Sequence, residues 1–120
     1  NESSQKNHAR AIELFMEGFQ KSGGNVDTQV RALYGLQQAQ FEADSLAGAV
    51  ATANQLVALK PLNEEWIIPH AWFKLGQTYA RQGKIGAARE AFDRVDDYDD
   101  YDFQERLEGQ VREEIAKMER

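Results

Sequence analysis

The chain has 120 residues, of which 42% are hydrophobic and none is cysteine, and its formal net charge is −6. This length is typical of one domain, and this hydrophobic content excludes compositional disorder. The lack of cysteine excludes disulfides, cysteine nucleophiles and thiolate metal sites, while it leaves the cellular compartment open.

The acidic excess lies at the C-terminal end of the sequence. Residues 1–92 contain nine acidic and nine basic side chains, whereas residues 93–120 contain eleven acidic and five basic ones. A chain with this balance repels phosphate groups, so neither nucleic acid nor an anionic membrane surface is an expected partner. No stretch approaches the ~18 consecutive apolar residues of a membrane span, so no membrane insertion is expected.

Hydrophobic periodicity predicts an all-α protein with about six helices, because apolar residues recur every three or four positions and do not alternate over any run. The first helix, Ser4–Ser22, is expected to end at Gly23 and Gly24, since glycine accepts the left-handed conformation of a helix end. The second, Asp27–Glu42, is expected to have Asp27 as its N-terminal cap.

The third helix is predicted over Ser45–Leu59, with Asp44 or Ser45 as its cap and Pro61 preventing its continuation. The fourth ends near Gln82 and has two alternative starts. Asn63 followed by acidic residues has the pattern of a cap, while Pro69 suits the first helical position.

The last two helices are predicted over Ile85–Val95 and Phe103–Met118. Gly83 supplies the turn before the first of these. Asp102 and Glu105 have capping-box spacing before the second, which carries a single apolar stripe on an otherwise charged surface.

A repeat signature lies between the fourth and fifth helices. It follows W-x2-L-G-x2-Y and then A-x3-F, and this segment therefore resembles a tetratricopeptide repeat. The resemblance implies two antiparallel helices with small residues where their backbones approach closely. The proline position of the signature is occupied by Asp100. The six matching residues are Trp72, Leu75, Gly76, Tyr79, Ala88 and Phe92.

A second repeat is similar to the first when Pro61 is placed in the proline position. In this register Gln37 replaces the usual glycine, Gln40 replaces the usual tyrosine, and residues 64–68 form an insertion before the next repeat. The core positions are then Leu33, Leu36, Ala49, Ala53 and Leu56.

Both ends of the chain extend the resemblance. Ala11 and Phe15 have the A-x3-F spacing of the second half of a repeat, and because the partner helix is absent we expect a piece of a longer protein. The sixth helix resembles a C-terminal capping helix. The resemblance implies one antiparallel helix-pair solenoid, with a half repeat over about 4–25, repeats over about 30–63 and 69–100, and a cap over about 102–119.

A narrower likeness is carried by W-I-I-P-H-A-W-F-K-L-G and by Y-D-D-Y-D-F-Q-E-R-L. These segments resemble the C-terminal part of the tetratricopeptide repeat protein 39 family and its bacterial relatives. Phe103, Arg106 and Leu107 follow the second Tyr-Asp pair in that likeness. The family carries no clear enzymatic chemistry to transfer.

Tetratricopeptide arrays usually bind extended peptides or partner helices on a concave face lined by the first helix of each pair. The resemblance therefore implies that this chain binds a protein or peptide there, without catalysis and without a cofactor. The residues expected to line the face are Arg31, Tyr34, Gln38, Phe41, His70, Phe73, Gln77 and Arg81. The alternative is that these residues contact the first helix or a missing upstream repeat.

The chaperone-binding members of the family clamp a terminal carboxylate, and that clamp is not reproduced here. Tyr34 and Gln38 stand where lysine and asparagine would be needed. A second interpretation of the whole chain is structural, as the terminal cap of a longer solenoid or as a module with weak self-association.

No catalytic or metal site is expected. A calcium loop starting at Asp97 fails at Tyr101 and has Asp102 where glycine must turn. His8 and His70 have no second ligand at helical spacing, and no G-x-S-x-G motif occurs. In the same loop Tyr98 and Tyr101 are expected to pack on the last helix pair rather than to form an exposed patch, because aromatic rings bury large areas.

Overall fold

The computed structural model describes residues 2–99, 101 and 103–119, with side chains from residue 8 onward. This part of the chain contains six helices and no strand, which confirms the predicted all-α class. The helices are α1 (Glu2–Lys21), α2 (Val26–Glu42), α3 (Leu46–Val57), α4 (Ile67–Arg81), α5 (Ile85–Val95) and α6 (Gln104–Met118).

The N-terminal cap of α2 differs from the prediction. Asn25, not Asp27, is the cap: its backbone is extended, and its side chain accepts a hydrogen bond from the backbone N–H of Thr28 at 3.0 Å. Asp27 lies one position too far into the helix for this role, since a cap must precede the first helical residue. Ser45 precedes α3 as predicted, but its side chain makes no capping hydrogen bond.

Asp27 instead holds the loop that precedes α4. One of its carboxylate oxygens accepts hydrogen bonds from the backbone N–H groups of Leu62, Asn63 and Glu64, at 3.1, 2.9 and 3.1 Å. The other accepts from the Asn63 side chain at 3.2 Å. These hydrogen bonds favour the ionised form and lower the pKa of Asp27. The loop before α4 is therefore attached to α2 as well as to its sequence neighbours.

Helix α4 begins at Ile67, between the two predicted starts. Asn63 is engaged by Asp27, and Pro69 is the third helical residue, where its missing N–H has no intrahelical partner to lose. After α4, Gly83 has a left-handed φ of 79°, in agreement with its predicted turn.

The predicted cap of α6 and the proline position of the last repeat fall on Asp102 and Asp100, which lie outside the described residues. Helix α6 itself begins one residue later than predicted, after Phe103. Phe103 has a left-handed φ of 67°, a conformation that is unfavourable for a bulky side chain, and the side chain is 69% exposed.

Each helix packs on the next one in the chain, and two further contacts join α2 to α4 and α4 to α6. The resulting compact globule measures 41 × 38 × 20 Å. Since a helix with its side chains is about 10 Å across, the shortest dimension corresponds to two layers of helices. None of the helices in the described part combines the length and the apolar character needed to cross a membrane.

The core has two main parts. The first is centred on α2 and the start of α4, where Val30, Leu33 and Ile67 are almost fully buried. The second lies among α4, α5 and α6 and is centred on Phe92 and Leu107.

Candidate partner-binding face

Helices α2 and α4 lie side by side and run in the same direction. Tyr34 lies in the middle of α2, and its ring meets that of Trp66, which directly precedes α4, edge to face with the centroids 5.8 Å apart. Near the end of both helices, the guanidinium of Arg81 lies 4.1 Å from the centre of the Phe41 ring. Because residue numbers rise together along this line of contacts, the two helices are parallel. We call their shared outer surface the α2–α4 face, formed by Arg31, Tyr34, Gln38, Phe41, Trp66, His70, Lys74, Gln77 and Arg81.

Gln37 joins the two helices beneath this face. Its side chain is fully buried, and Nε2 donates a hydrogen bond to the backbone carbonyl oxygen of Ala71 at 3.1 Å. The other amide atom, Oε1, is buried without a hydrogen-bond partner. This contact gives a physical role to the glutamine that replaces the glycine of the repeat signature.

Four rings form an aromatic row across the start of the face. Beyond the contact of Tyr34 with Trp66, the ring of Trp66 meets His70 at 5.4 Å and His70 meets Tyr101 at 6.0 Å, both edge to face. All four side chains are half-buried. Rings held in this way offer a ligand a large contact area with little loss of conformational entropy.

His70 is held by a hydrogen bond between its Nδ1 and the backbone carbonyl oxygen of Trp66, at 2.8 Å. A carbonyl oxygen only accepts, so we assign the proton to Nδ1, which leaves Nε2 as an acceptor. Burial lowers the pKa of His70, and the hydrogen bond to Trp66 opposes part of that shift. The imidazole also lines a pocket of about 240 Å³ against α6.

The far end of the face is cationic. Two cations contact the Phe41 ring: Arg81, and Lys74 with its Nζ 4.4 Å from the ring centre. Arg81 is also 3.8 Å from a carboxylate oxygen of Asp44. Lys74 has no carboxylate within ion-pair distance among the described residues, and burial lowers its pKa. A half-buried ammonium of this kind favours a ligand that brings an acceptor.

Two amides and one further cation complete the face. Gln77 Nε2 donates a long hydrogen bond of 3.4 Å to Glu114 of α6, and Gln38 is hydrogen-bonded to the Tyr34 hydroxyl. Arg31 is exposed, with its Nε 3.9 Å from Glu64. Side chains of these types are suited to hydrogen bonds with a peptide backbone.

Phe73 does not lie on this face. Its side chain is only 8% exposed and its ring centre lies 5.7 Å from that of Phe92, in the core that α6 covers. The sequence analysis expected Phe73 to line the face together with His70, which precedes it by about one helical turn. In the structure, α6 covers the side of α4 on which Phe73 lies. Conversely, Trp66 and Lys74 contribute to the face although the sequence analysis omitted them. Lys74 could have been found, because it follows His70 by one helical turn.

Most residues of the repeat signature lie inside the protein rather than on the α2–α4 face. Leu75, Gly76, Ala88 and Phe92 are buried. Trp72, Tyr79 and Pro61 are half-buried.

Both loop tyrosines pack rather than form an exposed patch, but only Tyr101 lies against the core of α4, α5 and α6, whereas Tyr98 lies against the core centred on α2 and the start of α4. Trp72 Nε1 donates a hydrogen bond to the Tyr98 hydroxyl at 3.3 Å. Tyr98 and Tyr101 are both half-buried against core clusters. Within residues 2–99, 101 and 103–119, no group of three or more histidine or acidic side chains is placed to hold a metal ion.

Comparison with known proteins found no matching family model, no matching curated protein and no matching solved structure. A function for this chain therefore has to be inferred from its own residues.

Proposed function

We propose that this chain is a tetratricopeptide-like module that binds an extended peptide or partner segment on the α2–α4 face, without catalysis. The observation that carries the proposal is the parallel, side-by-side placement of α2 and α4, the first helices of the two motif-defined pairs. In a solenoid of antiparallel pairs this is the surface that successive repeats share. The order of helix contacts, with α6 packed on α4 and α5, supports a terminal cap.

The chemistry of the face suits a peptide. Aromatic rings at one end can stack on apolar side chains, and the amide of Gln38 can pair with a peptide backbone that lies along the face. At the other end Lys74 and Arg81 can donate to carbonyl or carboxylate oxygens.

A peptide-library selection tests this proposal with three forms of the chain. The first is the parent, the second is Tyr34→Ala with Phe41→Ala on the face, and the third is a control, Leu14→Ala with Met16→Ala. The control residues are 49% and 47% exposed on α1, so their loss removes apolar area elsewhere. Circular dichroism would first establish equal helicity.

The proposal predicts peptides that are enriched by the parent and by the control but not by the face variant. Equal enrichment by all three forms, or no enrichment by any, would overturn it.

Exposed apolar side chains on α1 favour a second function, in which the chain associates with another copy or with a neighbouring helix. Leu14, Phe15 and Met16 are all more than one-third exposed on α1. Exposed apolar side chains on a helix mark a surface that another chain or helix can cover. If α1 mediates self-association, size-exclusion chromatography with light scattering should show a concentration-dependent mass for the parent and a monomer for the Leu14→Ala/Met16→Ala control.

A further inference from the structure

A separate pocket of about 350 Å³ lies where the end of α3 meets the loops before α4 and before α6. Its apolar wall comes from Val57, Leu59 and Ile68, and Tyr98 and Tyr101 contribute aromatic rings. The volume falls within the range of small-ligand sites, roughly 300–1,000 Å³. A pocket with such walls can bury the apolar body of a ligand.

The charged groups of the pocket are predominantly negative. Glu65 and Asp99 line it together with one cation, Lys60, and all three residues are solvent-exposed. Helix α3 ends at Val57, so the negative end of its dipole lies at the pocket. No basic residue in the last turn of α3 offsets that dipole.

The Tyr101 hydroxyl supplies an unused polar group. This oxygen is buried and has no hydrogen-bond partner, although buried polar atoms are normally paired. The pKa of Tyr101 is raised to about 12, mainly by burial and to a lesser extent by the nearby carboxylates of Glu108 and Asp96. The hydroxyl is therefore neutral at physiological pH, and its oxygen can accept a hydrogen bond from a ligand.

We propose that this pocket binds an organic cation, namely a primary ammonium group on an apolar or aromatic body. The ammonium N–H groups would donate to the Tyr101 hydroxyl oxygen and to the carboxylates of Glu65 and Asp99. The faces of the tyrosine rings attract the same charge. The body would lie against Val57 and Ile68. This ammonium could belong to a free amine or to a lysine side chain in a peptide.

Amide chemical shifts in two-dimensional NMR spectra test the ligand class with four matched probes. Benzylammonium carries the proposed group, benzyltrimethylammonium keeps the charge without N–H donors, benzyl alcohol is neutral, and phenylacetate is an anion. We expect benzylammonium to shift the amide signals of residues 57–60, 65–68, 98, 99 and 101 and to bind about fivefold more tightly than the alcohol. A lysine blocked at both ends, tested in parallel, distinguishes a peptide source from a free amine.

Two variants test the assigned residues. Tyr101→Phe keeps the ring and removes the hydroxyl, so it should weaken benzylammonium and leave benzyltrimethylammonium unchanged. Glu65→Gln with Asp99→Asn should weaken both cations about two- to fivefold for each carboxylate lost. The control Glu17→Gln with Asp93→Asn removes the same charge elsewhere and should leave both affinities unchanged.

The proposal fails if phenylacetate or benzyl alcohol binds as tightly as benzylammonium, if the shifts fall outside the pocket, or if millimolar amine causes none. The Tyr34→Ala/Phe41→Ala variant should bind the amine normally, so this result is independent of peptide binding on the α2–α4 face.

Discussion

A phenylalanine ring lies over a glycine of a neighbouring helix at both ends of the molecule. Phe92 of α5 covers Gly76 of α4, and Phe15 of α1 covers Gly35 of α2. Phe92 is fully buried, whereas Phe15 is 37% exposed. The difference comes from α6, which closes the core around Phe92, while no described helix covers the outer side of α1. The same local contact therefore contributes much more to stability where a third helix encloses it.

Truncating the two phenylalanine rings should give the largest difference in stability between the two ends of the molecule. We expect Phe92→Ala to lower the free energy of unfolding by about 3–5 kcal/mol, because it leaves a cavity in an enclosed core. Phe15→Ala should lower it by about 1 kcal/mol, because part of that ring is already in water. Urea denaturation followed by circular dichroism measures both changes. Equal losses would show that the two ends are equally enclosed.

A methyl group added to each glycine should give the next largest difference. A Cβ on Gly76 would lie 2.5 Å from a Phe92 ring atom, and one on Gly35 would lie 2.3 Å from a Phe15 ring atom. Since Phe92 is enclosed, we expect Gly76→Ala to destabilise the fold by about 1–3 kcal/mol.

Gly35→Ala should change the unfolding free energy by less than about 1 kcal/mol, because the exposed Phe15 ring can turn away and alanine favours the helix. Thermal unfolding of the two variants side by side checks this pair. A larger loss at Gly35 would contradict the interpretation that Phe15 is free to move.

Gln37 provides a third test, since the proposed repeat register places it at the position equivalent to Gly76. We expect Gln37→Ala to cost about 1–2 kcal/mol, because the variant loses the hydrogen bond to the Ala71 carbonyl and leaves that oxygen buried. The adjacent Gln38 lies on the outer face, so Gln38→Ala is the matched control and should change the denaturation midpoint little. A similar loss at both positions would refute a special role for the buried amide.

The pH dependence of stability should show the smallest effect. Burial lowers the pKa of His70 in the folded state, so the unfolded chain takes up a proton first as the pH falls. The contribution of His70 to stability is therefore complete above about pH 6.5 and is lost as the pH falls from there through the folded-state pKa. Melting temperatures of the parent and His70→Asn between pH 7.5 and pH 5 should converge. A constant difference across this range would exclude His70 as the titrating group.

The sequence predicted the helices well because their signals are local. Periodicity located six helices, and the bounds of α5 agree with the prediction. Gly83 could be assigned because a left-handed turn is a property of one residue and its neighbours. The cap of α2 was predicted wrongly, as Asp27 instead of Asn25, and the start of α4 was left between two positions, since several neighbouring residues have side chains that can cap a helix.

The candidate face was only partly predictable. Tyr34, Phe41 and Arg81 lie where helical spacing placed them, and Lys74 shares their face by the same rule. Phe73 was misplaced because the position of α6 determines which side of α4 is covered. Helical spacing defines the sides of a helix but does not reveal which side another helix covers.

Sequence alone determined the all-α class, the number of helices and the residues that could pack between them, because these follow from spacing and composition along a single segment. Tertiary structure decided that the Asp27 carboxylate holds the loop before α4, that Gln37 is buried and that the Tyr101 hydroxyl is buried without a hydrogen-bond partner. The contact between Asp27 and Asn63 spans 36 positions, and that between Gln37 and Ala71 spans 34. Such contacts depend on how the helices are arranged in space, and no local pattern of residues encodes that arrangement.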